Sequence, residues 1–184
     1  MKRQGGMLLI EVLVSLLIAA IALLGTVSLM AKSTRGEMES YQRVQALTLL
    51  QDMVSRINAN RQVATCYSAG ATGVIAGTGA SAAPACTTGT AAQIATVGAD
   101  LTAWNNALLG AGEVSGGNKV GAMIGAIGCI DQLDPTNNIY RVTVVWQGLM
   151  PTVTSKLLCG QNKFGNENLR RAVSVDIRIA SLSS

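Results

Sequence analysis

The sequence predicts an α+β protein in which a long N-terminal helix packs, through its second half, on a small antiparallel β-sheet. Three features predict it. Residues 7–31 are uncharged apart from Glu11. Residues 32–60 follow without a proline and repeat apolar side chains every three or four positions, the period of a helix with one buried face. Near the C-terminus the apolar period shortens to two, the signature of half-buried strands.

The apolar run would be roughly 37 Å long as a helix, against a hydrocarbon core of about 30 Å, so it is long enough to span a bilayer. Lys2 and Arg3 precede it, and basic flanks stay on the cytoplasmic side, so the rest of the chain is expected outside. Glu11 breaks the pattern. A carboxylate inside an apolar span costs on the order of 2.5–3.5 kcal/mol, which makes it a functional candidate. The Gly5-Gly6 pair offers a partner for it. A cut after Gly6 would turn Met7 into a new α-ammonium one helical turn from Glu11. The competing reading is an uncut signal anchor whose Glu11 reaches the headgroups.

Beyond Ala31 the same helix is expected to continue to about Asn60, for roughly 80 Å in all. Tyr41, Val44, Leu47, Leu50, Val54 and Ile57 would form the stripe that covers the sheet, with Arg43, Gln51, Asp52 and Arg56 off it. Gly25 and Gly36 are its weak points. Residues 66–99 read as a loop, because Ser68 to Gln93 is rich in Gly, Ala, Ser and Thr. Asp100 then reads as the cap of a short helix, 100–109, with Leu101, Trp104 and Leu108 on one side and Gly110 as its stop. Residues 112–119 form a turn-rich connection. Residues 120–131 supply a glycine-weakened strand candidate. Tyr140, Val142, Val144 and Trp146 alternate with polar or outward positions, as do Val173, Val175, Ile177 and Ile179, so both stretches read as strands. The organisation is thus a leader 1–6, an apolar helix 7–31, its amphipathic continuation 32–60, and a domain 61–184 holding the loop, the short helix and the sheet.

Composition removes several function classes. The 184 residues include no histidine, which excludes His-based acid–base catalysis and most zinc sites. No carboxylate cluster or phosphate-loop pattern appears, so neither an enzyme nor a cofactor is expected. Cys66, Cys86, Cys129 and Cys159 all follow the apolar run, and none sits in a CxxC pair. In an exported domain an even number favours disulfides, with three pairings open. Near neighbours are preferred, Cys66 with Cys86 and Cys129 with Cys159; the first would close the loop of small residues. The net charge of +4 is too weak to argue for nucleic acid. Arg170, Arg171 and Lys163 make the one basic cluster near a loop.

The stretch GGMLLIEVLVSLLI resembles the class III signal of type IV pilins and pseudopilins, with Gly6 at the cut, Met7 first in the mature chain and Glu11 fifth. That resemblance implies cleavage and N-methylation by a prepilin peptidase, and a helix that leaves the bilayer for a filament core. The leader would take two of the 14 basic residues, leaving 12 against 10 acidic ones, or +2. Further blocks are similar, in order, to the PilV-like minor pilins: SYQRVQALTLLQDMVSRINANR, DLTAWNNAL, YRVTVVWQG, and CG followed by LRRAVSVDI.

What this second resemblance implies is a low-abundance subunit with the major pilin's fold. It would join other minor pilins and the major pilin in an assembly-initiating complex at the filament tip, engaging inner-membrane lipid and the assembly platform first. It would thereby promote adhesion, twitching motility and DNA uptake, without direct nucleic-acid contact. The expected location is the bacterial inner membrane, N-terminus inside, then the surface pilus. Two alternatives share the N-terminal pattern: a minor pseudopilin of a type II secretion system, and an adhesin or DNA-binding pilin.

Overall fold

The computed structural model describes residues 7–68, 73–82, 85–112, 114–119, 121 and 123–180. The expected leader 1–6, Gly6 included, lies outside them, as do short pieces of the expected loop. The chain forms two compact units, Met1–Ser40 and Tyr41–Ser184. Helix α1, Met7–Ala59, is unbroken through Gly25 and Gly36. In the first unit every side chain from Leu9 to Met38 is exposed. By length and composition α1 is apolar enough near the N-terminus to cross a membrane.

The second unit is an antiparallel sheet covered by helices. Its sheet contains β1 (Val74–Gly77), β4 (Ile124–Asp134), β5 (Ile139–Gln147) and β6 (Arg170–Arg178), in the order β1-β4-β5-β6. A separate hairpin, β2 (Val114–Ser115) with β3 (Asn118–Lys119), replaces the expected plain connection and turns at Gly116-Gly117. Register is set down the middle of the sheet, where Ile130 faces Val142 and Val142 faces Val175. These residues share one face with Tyr140, Val144 and Trp146, and that face carries the main core.

The covering stripe of α1 differs from the expected one. Tyr41, Val44 and Leu47 are exposed, whereas Ala46, Leu49, Leu50, Met53 and Ile57 are buried in the main core. The reason lies in helix geometry. Steps of three fall short of a full turn by about 60° each, so a series begun at exposed Tyr41 turns through about half a circle and meets the core only at Leu50. Positions 46, 49, 50, 53 and 57 advance by three, one, three and four, and stay within one sector of about 100° on the helix.

Helix α2 runs Ala91–Leu108, not 100–109. Thr90 caps it: its hydroxyl accepts from the Gln93 amide, and the Gln93 side chain accepts in turn from the Thr90 amide at 2.8 Å. Asp100 is therefore an interior helical residue rather than a cap. Val97, Leu101, Trp104 and Leu108 are its buried face. The Trp104 indole N–H donates to the Leu49 carbonyl at 2.9 Å, tying α2 to α1. Gly128 on β4 makes room for the ring, since a Cβ there would lie 2.3 Å from Trp104 Cη2. The expected loop 66–99 thus holds β1 and half of α2. Gly77 ends β1 at φ 83°, where a Cβ would meet the Ala126 carbonyl oxygen of β4 at 2.3 Å and Leu108 Cβ of α2 at 3.2 Å.

Candidate assembly site

The candidate residues fall in two regions, the start of α1 and the sheet unit. At the first, Met7 begins α1 and Glu11 stands four residues on, one turn along the same helix. Glu11 is exposed, and its backbone carbonyl accepts from the Ser15 hydroxyl at 2.7 Å. Gly6, the expected cleavage position, lies outside the described residues. Along the run from Met7 to Ala31 Glu11 is alone as a charge. Lys32 and Arg35 begin the charged part of the helix.

In the second unit a polar network joins α1, the 3-10 segment Arg61–Tyr67 and α2. The Arg56 guanidinium donates to Asp52 and Asp100, at 2.8 Å each. Asp100 also accepts from the Tyr67 hydroxyl at 2.5 Å, and Asn60 donates to the Gln93 carbonyl at 3.1 Å. Burial, then the bond to the Asp100 carboxylate, pushes the Tyr67 phenol far above its ordinary pKa of about 10. The two aspartates push the Arg56 pKa up as well. These groups satisfy one another and leave no reactive side chain, so their work is to hold three elements in register.

The sheet's far face is covered too. Val145, Ile127, Cys129, Cys159 and Phe164 form a second, smaller cluster there. They belong to the sheet and to the connection 148–169. Two bonds cross-link the unit: Cys66 joins Cys86, and Cys129 joins Cys159, with Cα atoms 5.2 and 5.9 Å apart. The connection is also clamped by Arg170, the first residue of β6. Its side chain is 1% exposed and donates to Glu167, at 2.7 and 2.8 Å, and to the carbonyls of Ser155, Leu157 and Cys159. Glu167 also accepts from the Asn162 amide; that bond, with Arg170 second, holds its pKa down.

This geometry splits the basic cluster of Arg170, Arg171 and Lys163. Arg170 is consumed internally. Arg171 donates to the Thr152 hydroxyl and to the carbonyls of Asn168 and Met150. A pair of adjacent arginines in sequence carries no signal of which one is buried, because that is decided by the carbonyls that a distant connection brings to it. Sequence reasoning missed both Arg170 and the Asp100 network. For α2, the Thr90-x-x-Gln93 pattern was the available sign.

A family model described as "Tt1218-like: Type IV pilin Tt1218" matches residues 28–99. That span takes in the end of the apolar run, the core-forming half of α1, the 3-10 segment, β1 and the start of α2. No curated protein and no solved structure matches the chain. Among the described residues no group of three or more His, Cys, Asp or Glu could hold a metal ion. Over residues 28–99, 72 of its 184, the chain is similar to the type IV pilins, and it carries a helix long and apolar enough to cross a membrane together with a small antiparallel sheet.

Proposed function

We propose that the chain is a minor pilin of the PilV-like kind, held in the inner membrane by α1, cut after Gly6, methylated at Met7 and then built into the assembly-initiating tip complex of a type IV pilus. Through assembly it promotes adhesion, twitching motility and DNA uptake. Its partners are other minor pilins, the major pilin, the prepilin peptidase and the assembly platform. One observation carries the reading: Glu11 is the lone charge of a run of α1 that is otherwise apolar, and it lies one turn past the residue that cleavage would make N-terminal. The order of the blocks similar to PilV-like pilins supports the finer assignment.

The mechanism is electrostatic. Cleavage creates an ammonium at Met7, and Glu11 of the same or a neighbouring subunit compensates it. An uncompensated charge among apolar helices is expensive, so only the axial offset that pairs the two is retained. Apolar contacts along residues 7–31 then supply cohesion. Glu11→Ala is expected to leave the sheet unit folded and to deplete the protein from the pilus fraction. Gly6→Glu is expected to block processing, seen as an unshortened mass. Wild-type amounts of Glu11→Ala in purified pili, or native protein that still carries residues 1–6, overturns the reading. Co-purification with secretion pseudopilins in place of pilus subunits moves the protein to the type II secretion alternative.

A further inference from the structure

A cleft of about 320 Å³ opens in the sheet unit between the 3-10 segment and the start of β5, lined among others by Arg61, Gln62, Thr65, Asn138, Tyr140 and Ile179. It shares Asn138, Ile179 and Ala180 with a second cleft of about 440 Å³ that adds Thr136, Asn137 and Arg178. The two make one groove between the 3-10 segment and the β4–β5 turn.

Its chemistry is one-sided. Two guanidiniums line it, and among the described residues no carboxylate lines either part. Neither Arg61 nor Arg178 forms a salt bridge with a described residue, unlike Arg56, Arg141 and Arg170 in the same unit. The Asp134 carboxylate feels the Arg178 charge, but its oxygens are bonded within its own turn. One oxygen accepts from the Thr136 and Asn137 amides, at 2.8 and 3.0 Å, and the other from the Asn137 side chain at 2.7 Å. The neutral groups also point to an acceptor-rich ligand. The Asn138 amide and the Thr65 hydroxyl bond to no described residue, and Gln62 uses only its oxygen, accepting from Gln93. Asn138 is held at φ 51°, and its carbonyl is taken by the Ile179 amide at 3.0 Å, which fixes the turn beside the groove. The described lining of the groove therefore offers several donors and no acceptor of matching charge. Ala64, Ile179, Ala180 and the Tyr140 ring supply an apolar floor.

We infer that this groove binds an acidic polypeptide segment, with Arg61 as the principal anchor and Arg178 as the second. Planar guanidinium forks match carboxylates. The apolar floor suits carbon-backed acids better than a bare phosphate, and the volume lies at the low end for a ligand site, enough for a short segment. The inference stands apart from the pilus reading, because it concerns a pairwise binding event of the purified protein.

The test is fluorescence anisotropy of a labelled Glu-Ser-Glu-Ser-Glu peptide on the full-length protein in neutral detergent micelles. Saturable, salt-weakened binding is expected. Arg61→Gln and Arg178→Gln should each weaken it, by about tenfold or more for Arg61, and Arg61→Lys should keep part of it. The Gln-Ser-Gln-Ser-Gln peptide should not bind. Circular dichroism melts of the variants must match wild type; both arginines are exposed, so folding should be unaffected. Absence of saturable binding, or equal binding by the glutamine variants, overturns the inference. So does tighter displacement of the peptide by inorganic phosphate, phosphatidylglycerol vesicles or single-stranded DNA, which would assign the groove to phosphate.

Discussion

Replacing Arg170 by methionine removes the clamp that holds the connection 148–169 to the sheet. The side chain is 1% exposed and serves four acceptors: the Glu167 carboxylate and the carbonyls of Ser155, Leu157 and Cys159. Hydrogen bonds to a charged group are worth about 1.5–3 kcal/mol each, which would sum to roughly 6–12 kcal/mol if nothing relaxed. The connection can relax, however. Ser155 and Leu157 are only half-buried, so water reaches their carbonyls once the segment lifts. The expected loss is therefore the about 3–5 kcal/mol typical of breaking a buried charge network, large against a total stability of about 5–15 kcal/mol.

Cys129–Cys159 still tethers the segment, so the damage should be local before it is global. Chemical denaturation of the full-length protein gives the magnitude. Hydrogen exchange gives the place: the Gly148 and Thr152 amides, which donate to Leu169 and Asn168 at 2.7 and 2.8 Å, should lose protection first. Arg171→Met, at the neighbouring half-buried position, is the comparison and should cost much less. Equal effects of the two substitutions, or unchanged exchange at 148–169 in Arg170→Met, would refute the clamp.

Two further outcomes follow from the packing of α2. Gly128→Ala places a methyl group within 2.3 Å of Trp104 Cη2 and 2.7 Å of Leu108 Cδ1 and should destabilise by about 1–3 kcal/mol, with part of that cost absent in a Trp104→Phe background; additive effects in a double-mutant cycle would show that positions 104 and 128 do not meet. Tyr67→Phe removes the hydroxyl that donates to Asp100 and should cost about 1.5–3 kcal/mol at neutral pH. Because the folded-state pKa of Tyr67 is raised, the tyrosine's contribution is full below about pH 10 and is lost as pH rises beyond it, so the gap between wild type and variant should narrow in alkaline denaturation series; a gap independent of pH counts against the shift.

The sequence by itself determined the class of the protein. A long uncharged run with one acid near its start, a proline-free helical continuation, and period-two strands near the end are local patterns, and local patterns are written residue by residue. They sufficed for an α+β fold with a long helix on an antiparallel sheet and for Glu11 as a candidate; the pilin likeness comes from the resemblance of the N-terminal stretch. What only the tertiary structure decided was orientation and partnership. Leu50 and Ile57 were legible as core, but Tyr41, Val44 and Leu47 were not separable from Ala46, Leu49 and Met53 by spacing, because a helix with apolar residues on several sides needs the sheet to say which side is inside. Asp100 looked like a cap because aspartate favours caps. It is instead a helical acceptor for Arg56 and Tyr67, residues brought to it from 44 and 33 positions away. Arg170 and Arg171 are adjacent and chemically identical, yet one is sealed among carbonyls and the other lies at the surface. Burial of a charge depends on acceptors that the chain delivers from elsewhere, and that delivery exists only in the folded molecule.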